Sequence, residues 1–250
     1  MKLPKELEPI CETFPHRLVF ATVSGAHLYG FPSPDSDYDL RGCHVLPVRC
    51  VVGLDDPDET EERLGLESGL DLDLVSHDLK KFSKMLLKRN GYVLEQLLSP
   101  LVVRTSSEHE ELKSLVPQVL TRHHAHHYLG FARNQWHMFE RAPRVKTLLY
   151  VYRVLLTGIH LMQSGEVEPN LPKLLEYLPQ PGVADLVAAK VGGAEKQGLP
   201  ESEVERHAAS FQGLLGRLEA ARDESQLPES PTAYPELQDL LVRARMGTLS

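Results

Sequence analysis

The sequence predicts an α+β fold, with a mixed sheet flanked by helices in the N-terminal part and an all-helical C-terminal part. Residues 1–105 alternate short apolar runs, typical of strands, with helical stretches. From Glu108 onward the chain consists of long helical stretches that prolines and glycines interrupt. A chain of 250 residues can form one large domain or two modest ones, and the change of pattern favours two. We therefore predict one domain over 1–105 and a second, helical domain over 106–250.

The N-terminal elements follow in order from the pattern of apolar residues. The predicted strands are 18–23, 38–46, 70–76 and 101–104, and the predicted helices are an opening helix, 26–30, 78–89 and 92–98. Gly53 to Gly69 is rich in Asp, Glu and Gly and is punctuated by Pro57 and Gly65. This composition predicts a surface loop or a short helix.

In the second half the pattern predicts helices throughout. They lie at 108–115, 118–140, 145–164, 171–178, 183–194, 201–222 and 235–246.

Composition limits the function classes. No run of eighteen apolar residues is present, and Met1 to Glu6 lacks the apolar region of a signal peptide, so we expect no membrane span and a cytoplasmic protein. Cys11, Cys43 and Cys50 have no metal-ligand spacing and are expected to be reduced thiols. The net charge of −8 gives no global attraction to nucleic acid, so an RNA substrate would need a local basic patch.

The most informative segment runs from Ser24 to Gly42. Ser24 and Gly25 follow an apolar strand, and Asp37 and Asp39 come thirteen and fifteen residues after Ser24. Side chains two apart on a strand share a face, so the two carboxylates are expected to point the same way. Mg²⁺ is usually bound through one or two carboxylates plus substrate phosphates, and a Ser-Gly turn can bring backbone N–H groups close to phosphate. A solvated turn is the alternative interpretation of this acidic run.

A second acidic pair lies on a later strand. Leu70 to Val75 alternates apolar and acidic residues, so Asp71 and Asp73 share one face of a half-buried strand. A polar residue on the outer face of a strand is again the alternative for Asp71.

The spacing Ser24-Gly25…Asp37-x-Asp39 resembles the signature of the DNA-polymerase-β-like nucleotidyltransferase superfamily. The fuller pattern, which continues through Leu40-Arg41-Gly42, is similar to a branch associated with RNA repair and RNA ligases. The commoner order in the superfamily is Gly-Ser. Either the phosphate-facing hydroxyl is displaced by one position here, or backbone amides hold the phosphate without it.

The resemblance implies a third carboxylate before a Leu-x-Lys-Phe helix, which this chain has at Leu79 to Phe82. That spacing favours Asp73, with Asp71 as the alternative. It implies that Asp37, Asp39 and Asp73 are catalytic and hold two Mg²⁺ or Mn²⁺ ions, which together clamp the attacking and leaving oxygens of an in-line displacement.

The resemblance continues to about residue 175 and the last 75 or so residues match no pattern. Its later segments are Arg89 to Pro100, where Gly91 replaces the usual proline, the helix at Tyr128 to Ala132 and the helix at Lys146 to Arg153.

Several residues are predicted to bind the nucleotide. Lys146 and Arg153 are seven residues apart and share a helix face near Tyr150, where they could hold the β- and γ-phosphates across a cleft. Arg41 could reach a phosphate or neutralise Asp35. The full predicted set is Ser24, Gly25, His27, Arg41, Lys146, Tyr150 and Arg153. An ordinary ion pair or a solvated position is the alternative for Lys146 and Arg153.

Two groups of basic residues are candidates for RNA contact. The first is Lys80, Lys81, Lys84, Lys88 and Arg89, in which Lys80, Lys84 and Lys88 recur on one helix face. The second is Arg133, Arg141, Arg144, Lys146 and Arg153. Either group could instead be a solvated surface.

The sequence thus predicts a nucleotidyltransferase that moves an NMP from an NTP to a hydroxyl, with an RNA or tRNA end as the acceptor and RNA ligase or other repair proteins as partners. Three alternatives remain. They are a protein-modifying nucleotidyltransferase, a non-catalytic nucleotide or RNA binder of the same fold, and a zinc hydrolase at the histidines between His123 and His127.

Overall fold

The computed structural model describes residues 3–54, 56–193 and 199–247, with the backbone alone for residues 201 and 202. The strands are β1 (Arg17–Val23), β2 (Tyr38–Val45), β3 (Thr60–Glu67), β4 (Leu70–Asp78) and β5 (Val102–Arg104). The first seven helices are α1 (Leu7–Glu12), α2 (Gly25–Tyr29), α3 (Val48–Val52), α4 (Leu79–Leu87), α5 (Gly91–Leu97), α6 (Ser107–Ser114) and α7 (Val116–Val119). The remaining helices are α8 (Ala125–Arg141), α9 (Val145–Ser164), α10 (Leu171–Tyr177), α11 (Val183–Val191), α12 (Glu201–Glu224) and α13 (Tyr234–Met246).

The five strands form one mixed sheet in the order β3-β4-β2-β1-β5. β2 and β4 are parallel, and every other neighbouring pair is antiparallel. A mixed sheet followed by helices confirms the predicted α+β class.

The sheet is covered on both faces. Leu7 and Ile10 of α1 pack with Leu40, Leu72 and Leu74 on one face. On the opposite face α4 packs against β2 and β4, while α5 and α6 pack against β1. Because side chains alternate along a strand, odd-numbered positions of β2 and β4, including Asp39 and Asp73, point toward the second face.

The chain divides into two compact units. The first comprises residues 1–28, 37–119 and 230–250, and the second comprises residues 29–36 and 120–229. Both are discontinuous, which differs from the single division at 105/106 expected from the sequence. In the second unit α8, α10, α11 and α12 pack around α9, and Trp136 of α8 stacks on Phe211 of α12 with ring centroids 4.5 Å apart.

Two parts of the predicted secondary structure are wrong. The segment 53–69 contains the edge strand β3 rather than only a loop or short helix, and the segment 118–140 is not one helix. A 3₁₀ turn at Arg122–His124 separates α7 from α8, and the imidazole Nδ1 of His124 accepts a hydrogen bond from the Thr121 N–H at 3.2 Å. The predicted end of the helix 183–194 lies outside the described residues.

α9 is the core helix of its unit. Of the described residues, it alone forms a helix long and apolar enough to cross a membrane, and 78% of the apolar window is buried inside the protein. A mostly buried core helix passes the same length and composition test.

Candidate active site

The centre of the candidate site is a pair of carboxylates on the parallel strands β2 and β4. Asp39 and Asp73 are register partners, so they lie side by side on one face of the sheet. Arg41, two residues further along β2, points to the same face. Its Nη2 donates to Asp39 Oδ1 at 2.6 Å and to Asp73 Oδ2 at 2.7 Å. The two acids therefore converge on one positive charge.

Arg41 is held firmly in this position. Its Nη1 donates to the backbone oxygen of Asp73 at 2.5 Å, and its Nε donates to the hydroxyl of Tyr92 on α5 at 2.9 Å. Burial by itself lowers the pKa of the guanidinium, but Tyr92, Asp73 and Asp39 more than offset this and raise the pKa above its ordinary value. Arg41 therefore carries a permanent charge between the two carboxylates.

The turn after β1 packs closely against Asp39. The N–H of Ser24 donates to the backbone oxygen of Asp39 at 2.8 Å. Gly25 has φ of +59°, and a Cβ at this position would lie 1.7 Å from Asp39 Oδ2. Only glycine fits both the backbone conformation and the contact. The Ser24 hydroxyl is buried and, within the described residues, has no hydrogen-bond partner, which is the kind of buried polar group that a ligand oxygen would satisfy.

Asp37 and Asp71 are placed differently from the central pair. Asp37 is half-buried and lies just before β2 begins at Tyr38, so the alternation along the strand does not fix its direction. Asp71 is exposed and pairs with Leu66 of β3. Across the described ranges, no three His, Cys, Asp or Glu side chains form a group arranged to hold a metal ion. The structure therefore brings together Asp39 and Asp73, without completing a set of three ligands.

The donor set of this pair nevertheless suits a divalent cation. Hard cations such as Mg²⁺ take carboxylate oxygens as ligands, and Asp39 and Asp73 already direct one oxygen each at a shared cation. The charge that they share is the Arg41 guanidinium, so a metal ion between the same oxygens would compete with it.

Two other predicted residues of the first unit make side-chain contacts. The His27 ring stacks on Tyr38 with centroids 4.4 Å apart and an interplanar angle of 7°. On α4, Lys81 donates to the hydroxyl of Thr60.

The four-residue spacing correctly predicts an exposed row of lysines along α4. The row consists of Lys80, Lys84 and Lys88, and Lys88 directly follows the helix.

Three predicted nucleotide ligands lie in the second unit. Lys146 is exposed, whereas Arg153 is buried with its guanidinium 3.8 Å from the centroid of the Tyr29 ring. Tyr150 packs edge-on against Tyr29 with centroids 5.6 Å apart. Burial, with a smaller contribution from Arg153, lowers the pKa of His127 to about 4, so its ring is neutral at pH 7. Nucleotide binding by Lys146, Tyr150 and Arg153 stays a prediction.

The histidine cluster does not form a metal centre among the described residues. His123 stacks on His126 with centroids 5.7 Å apart, while His127 packs edge-on against the ring of Tyr128. These contacts give the zinc-hydrolase alternative no support.

Comparison with known proteins gives the family. Residues 2–243 match the RNA repair pathway DNA polymerase beta family. The uncharacterised protein MJ0002 of Methanocaldococcus jannaschii is 30% identical over 231 residues, which cover 91% of this chain and 93% of that protein. The uncharacterised protein YcgL of Bacillus subtilis is 27% identical over 170 residues, or 66% of this chain and 64% of that protein.

Among solved structures, a nucleotidyltransferase-like protein from Exiguobacterium sibiricum is similar at 13% identity and a TM-score of 0.32. That alignment covers 97% of this chain and 78% of the other.

The family match places the chain in the class of polymerase-β-like nucleotidyltransferases. Within that class, the chain belongs to the RNA repair pathway DNA polymerase beta family.

Proposed function

We propose that this protein transfers an NMP from an NTP to a hydroxyl group at an RNA end and releases pyrophosphate. The acceptor oxygen forms a bond to the α-phosphorus, the bond from that phosphorus to the bridging oxygen breaks, and pyrophosphate leaves. The observation that carries the proposal is the pair Asp39 and Asp73, which share one cation beside the turn at Ser24 and Gly25. Family membership supports the RNA repair setting.

Two Mg²⁺ or Mn²⁺ ions, when bound, would supply positive charge that activates the acceptor hydroxyl and stabilises the leaving group. Asp37, Asp39 and Asp73 are the residues that would hold them, with Asp71 as the alternative to Asp73. In this assignment Asp73 lies next to the acceptor hydroxyl and would hold the metal ion whose positive charge lowers the pKa of that hydroxyl. The Ser24 hydroxyl and the tight backbone at Gly25 face the triphosphate.

His27 and Arg41 complete the nucleotide-binding set in the first unit. Lys146, Tyr150 and Arg153 would supply the contacts of the second unit. RNA ligase or other repair proteins are the proposed partners, and the proposed location is the cytoplasm, away from membranes.

The test is incubation with each α-labelled NTP, Mg²⁺ or Mn²⁺, and a pool of tRNA, nicked tRNA and short oligonucleotides. We expect label in RNA with the wild-type protein. Because metal ions contribute several kcal/mol to such reactions, Asp39→Asn and Asp73→Asn should each lower the rate about a hundredfold or more.

Asp71→Asn is the matched control, since Asp71 lies on the same strand and face as Asp73 but is exposed. Near-normal transfer in this variant supports Asp73 as the third acid. Label that appears in protein instead of RNA, or transfer that persists in Asp39→Asn, would overturn the proposed function.

A further inference from the structure

A groove between α4 and α13 lies outside the carboxylate site, in the same unit. It has a volume of about 220 Å³ and is lined by Lys80, Ser83, Lys84, Leu87, Tyr234, Leu237, Gln238 and Leu241. Small-molecule pockets usually enclose roughly 300–1,000 Å³. A groove of this size suits one flat group of a longer ligand better than an enclosed metabolite.

The rim of the groove carries exposed lysines. Lys80 and Lys84 are exposed, and within the part of the chain that the structure describes their ammonium groups form no ion pair or hydrogen bond. Lys88 continues the row one turn further, also exposed. The chain as a whole has a net charge of −8, so this row is a local basic patch. Charges along a line match a polyanion better than a single phosphate.

The end of the groove carries an exposed aromatic ring. Tyr234, the first residue of α13, is 64% exposed, although its neighbours Ala233 and Leu237 are buried. An exposed aromatic side chain beside a basic row is the combination with which proteins bind single-stranded nucleic acid, because every base has a face that can stack.

A third feature points to a ligand. Ser83 is 6% exposed, lines the groove, and has a buried hydroxyl with no hydrogen-bond partner among the described residues. A buried polar atom without a partner is costly, and a ligand atom in the groove would satisfy it.

We infer that this groove binds single-stranded RNA, with one base stacked on Tyr234 and the backbone following Lys80, Lys84 and Lys88. The inference rests on the proposed function, since it supplies the contact that holds the RNA substrate outside the catalytic pair. It assigns Tyr234, Ser83 and the α13 surface a binding role, although none of them belongs to the motifs that carry the sequence resemblance.

The experiment measures binding of a fluorescein-labelled single-stranded RNA decamer by anisotropy, in EDTA and without NTP. Tyr234→Ala should weaken binding about tenfold, while Tyr234→Phe, which keeps the ring, should bind as the wild type does. Tyr177→Ala is the matched control, because Tyr177 is 65% exposed but lies on α10.

Salt dependence tests the lysines separately. Each phosphate contact on a single strand contributes roughly 0.7 to the slope of log affinity against log salt. Lys80→Ala and Lys84→Ala should each lower that slope by about this amount. Lys113→Ala, which removes the same charge from a lysine paired with Glu110, should leave it unchanged.

Equal affinity of Tyr234→Ala and Tyr177→Ala, a wild-type slope in both lysine variants, or no binding by the wild-type protein would each overturn the inference. An outcome against RNA binding in the groove is distinguishable from an outcome against the proposed NMP transfer. Asp39→Asn should still bind the decamer, and label transfer that depends on Asp39 would stand even if the groove variants bind RNA normally.

Discussion

Arg41 is the residue that sets the charge of the candidate site. Two carboxylates on adjacent strands repel each other unless a cation lies between them, and the Arg41 guanidinium occupies that place. The side chains of Asp39 and Asp73 are 20% and 31% exposed, so solvent reduces the strength of both ion pairs. A metal ion bound to the same oxygens would have to displace the guanidinium, which makes Arg41 a competitor of the metal.

Replacement of Arg41 by methionine tests this competition. In EDTA the variant should unfold at a lower temperature than the wild type, since two adjacent carboxylates lose their counter-ion. Each charge-assisted hydrogen bond contributes about 1.5–3 kcal/mol when shielded, and partial exposure reduces the pair to about 1–2 kcal/mol in total. Mn²⁺ should therefore bind the variant about tenfold more tightly, as titration calorimetry can measure.

Arg63→Ala is the charge-matched control, because Arg63 pairs with Glu67 on the edge strand and contacts neither acid of the pair. Its Mn²⁺ affinity should equal that of the wild type. If Arg41→Met binds Mn²⁺ no more tightly than Arg63→Ala does, Arg41 does not compete for the site.

At this scale the sequence predicted the acids but not their arrangement. The alternation of Leu70 to Val75 placed Asp71 and Asp73 on one face, yet only the register of β2 against β4 sets Asp73 beside Asp39. The link from Arg41 to both acids depends on the same register. The sequence did contain one sign of the contact between Arg41 and Asp39. The two residues are two positions apart on a strand, so their side chains lie on one face.

At the level of elements, α13 is fixed to the end of β4 by a buried ion pair. Asp78 is fully buried, caps α4 by accepting from the Lys80 N–H at 3.0 Å, and accepts from the Leu46 N–H at 3.0 Å. Arg245 of α13 donates to Oδ2 of Asp78, the oxygen that also accepts from the Lys80 N–H, at 2.5 Å. One carboxylate thus joins a strand end, a helix start and the last helix.

Arg245→Ala should destabilise the protein by about 3–5 kcal/mol, because it leaves a buried carboxylate without its counter-charge. Arg243→Ala is the control on the same helix. Arg243 pairs with Glu111 and Asp239 at partly exposed positions, so its loss should cost much less than the loss of Arg245. Urea unfolding at pH 7 measures both variants, and equal losses would show that the burial of Asp78 does not matter.

The edge strand β3 shows where a sequence pattern fails at this scale. Thr60 to Glu67 has no buried residue, and Leu64 and Leu66 are 75% and 80% exposed. Strand prediction relies on alternation between a buried and an exposed face, and this strand has none. Its backbone pairing with β4 holds it in place. In contrast, β1 and β2 are central and largely buried, and the sequence predicted both within one residue at either end.

For the whole molecule, buried histidines make stability depend on pH. Burial, and then the charge of His16, lowers the pKa of His44 to about 4. Burial, and then Lys81, lowers the pKa of His77 to about 4. An unfolded chain has histidine pKa values near 6.5, so between about pH 6.5 and 4 the unfolded state binds more protons than the folded state does. Stability therefore falls as the pH falls through this window.

His44→Gln isolates the contribution of one group. His44 is fully buried, and the linkage between pKa values of about 4 and about 6.5 predicts that it accounts for about 2 kcal/mol of the stability lost from pH 7 to pH 5. The difference between the urea unfolding free energies at these two pH values should therefore be about 2 kcal/mol smaller in His44→Gln than in the wild type. His137→Gln removes an exposed histidine and should leave the difference unchanged. Because each protein is compared with itself at two pH values, any loss of packing in His44→Gln cancels. An undiminished difference in that variant would mean that His44 takes up its proton in the folded state as readily as in the unfolded chain.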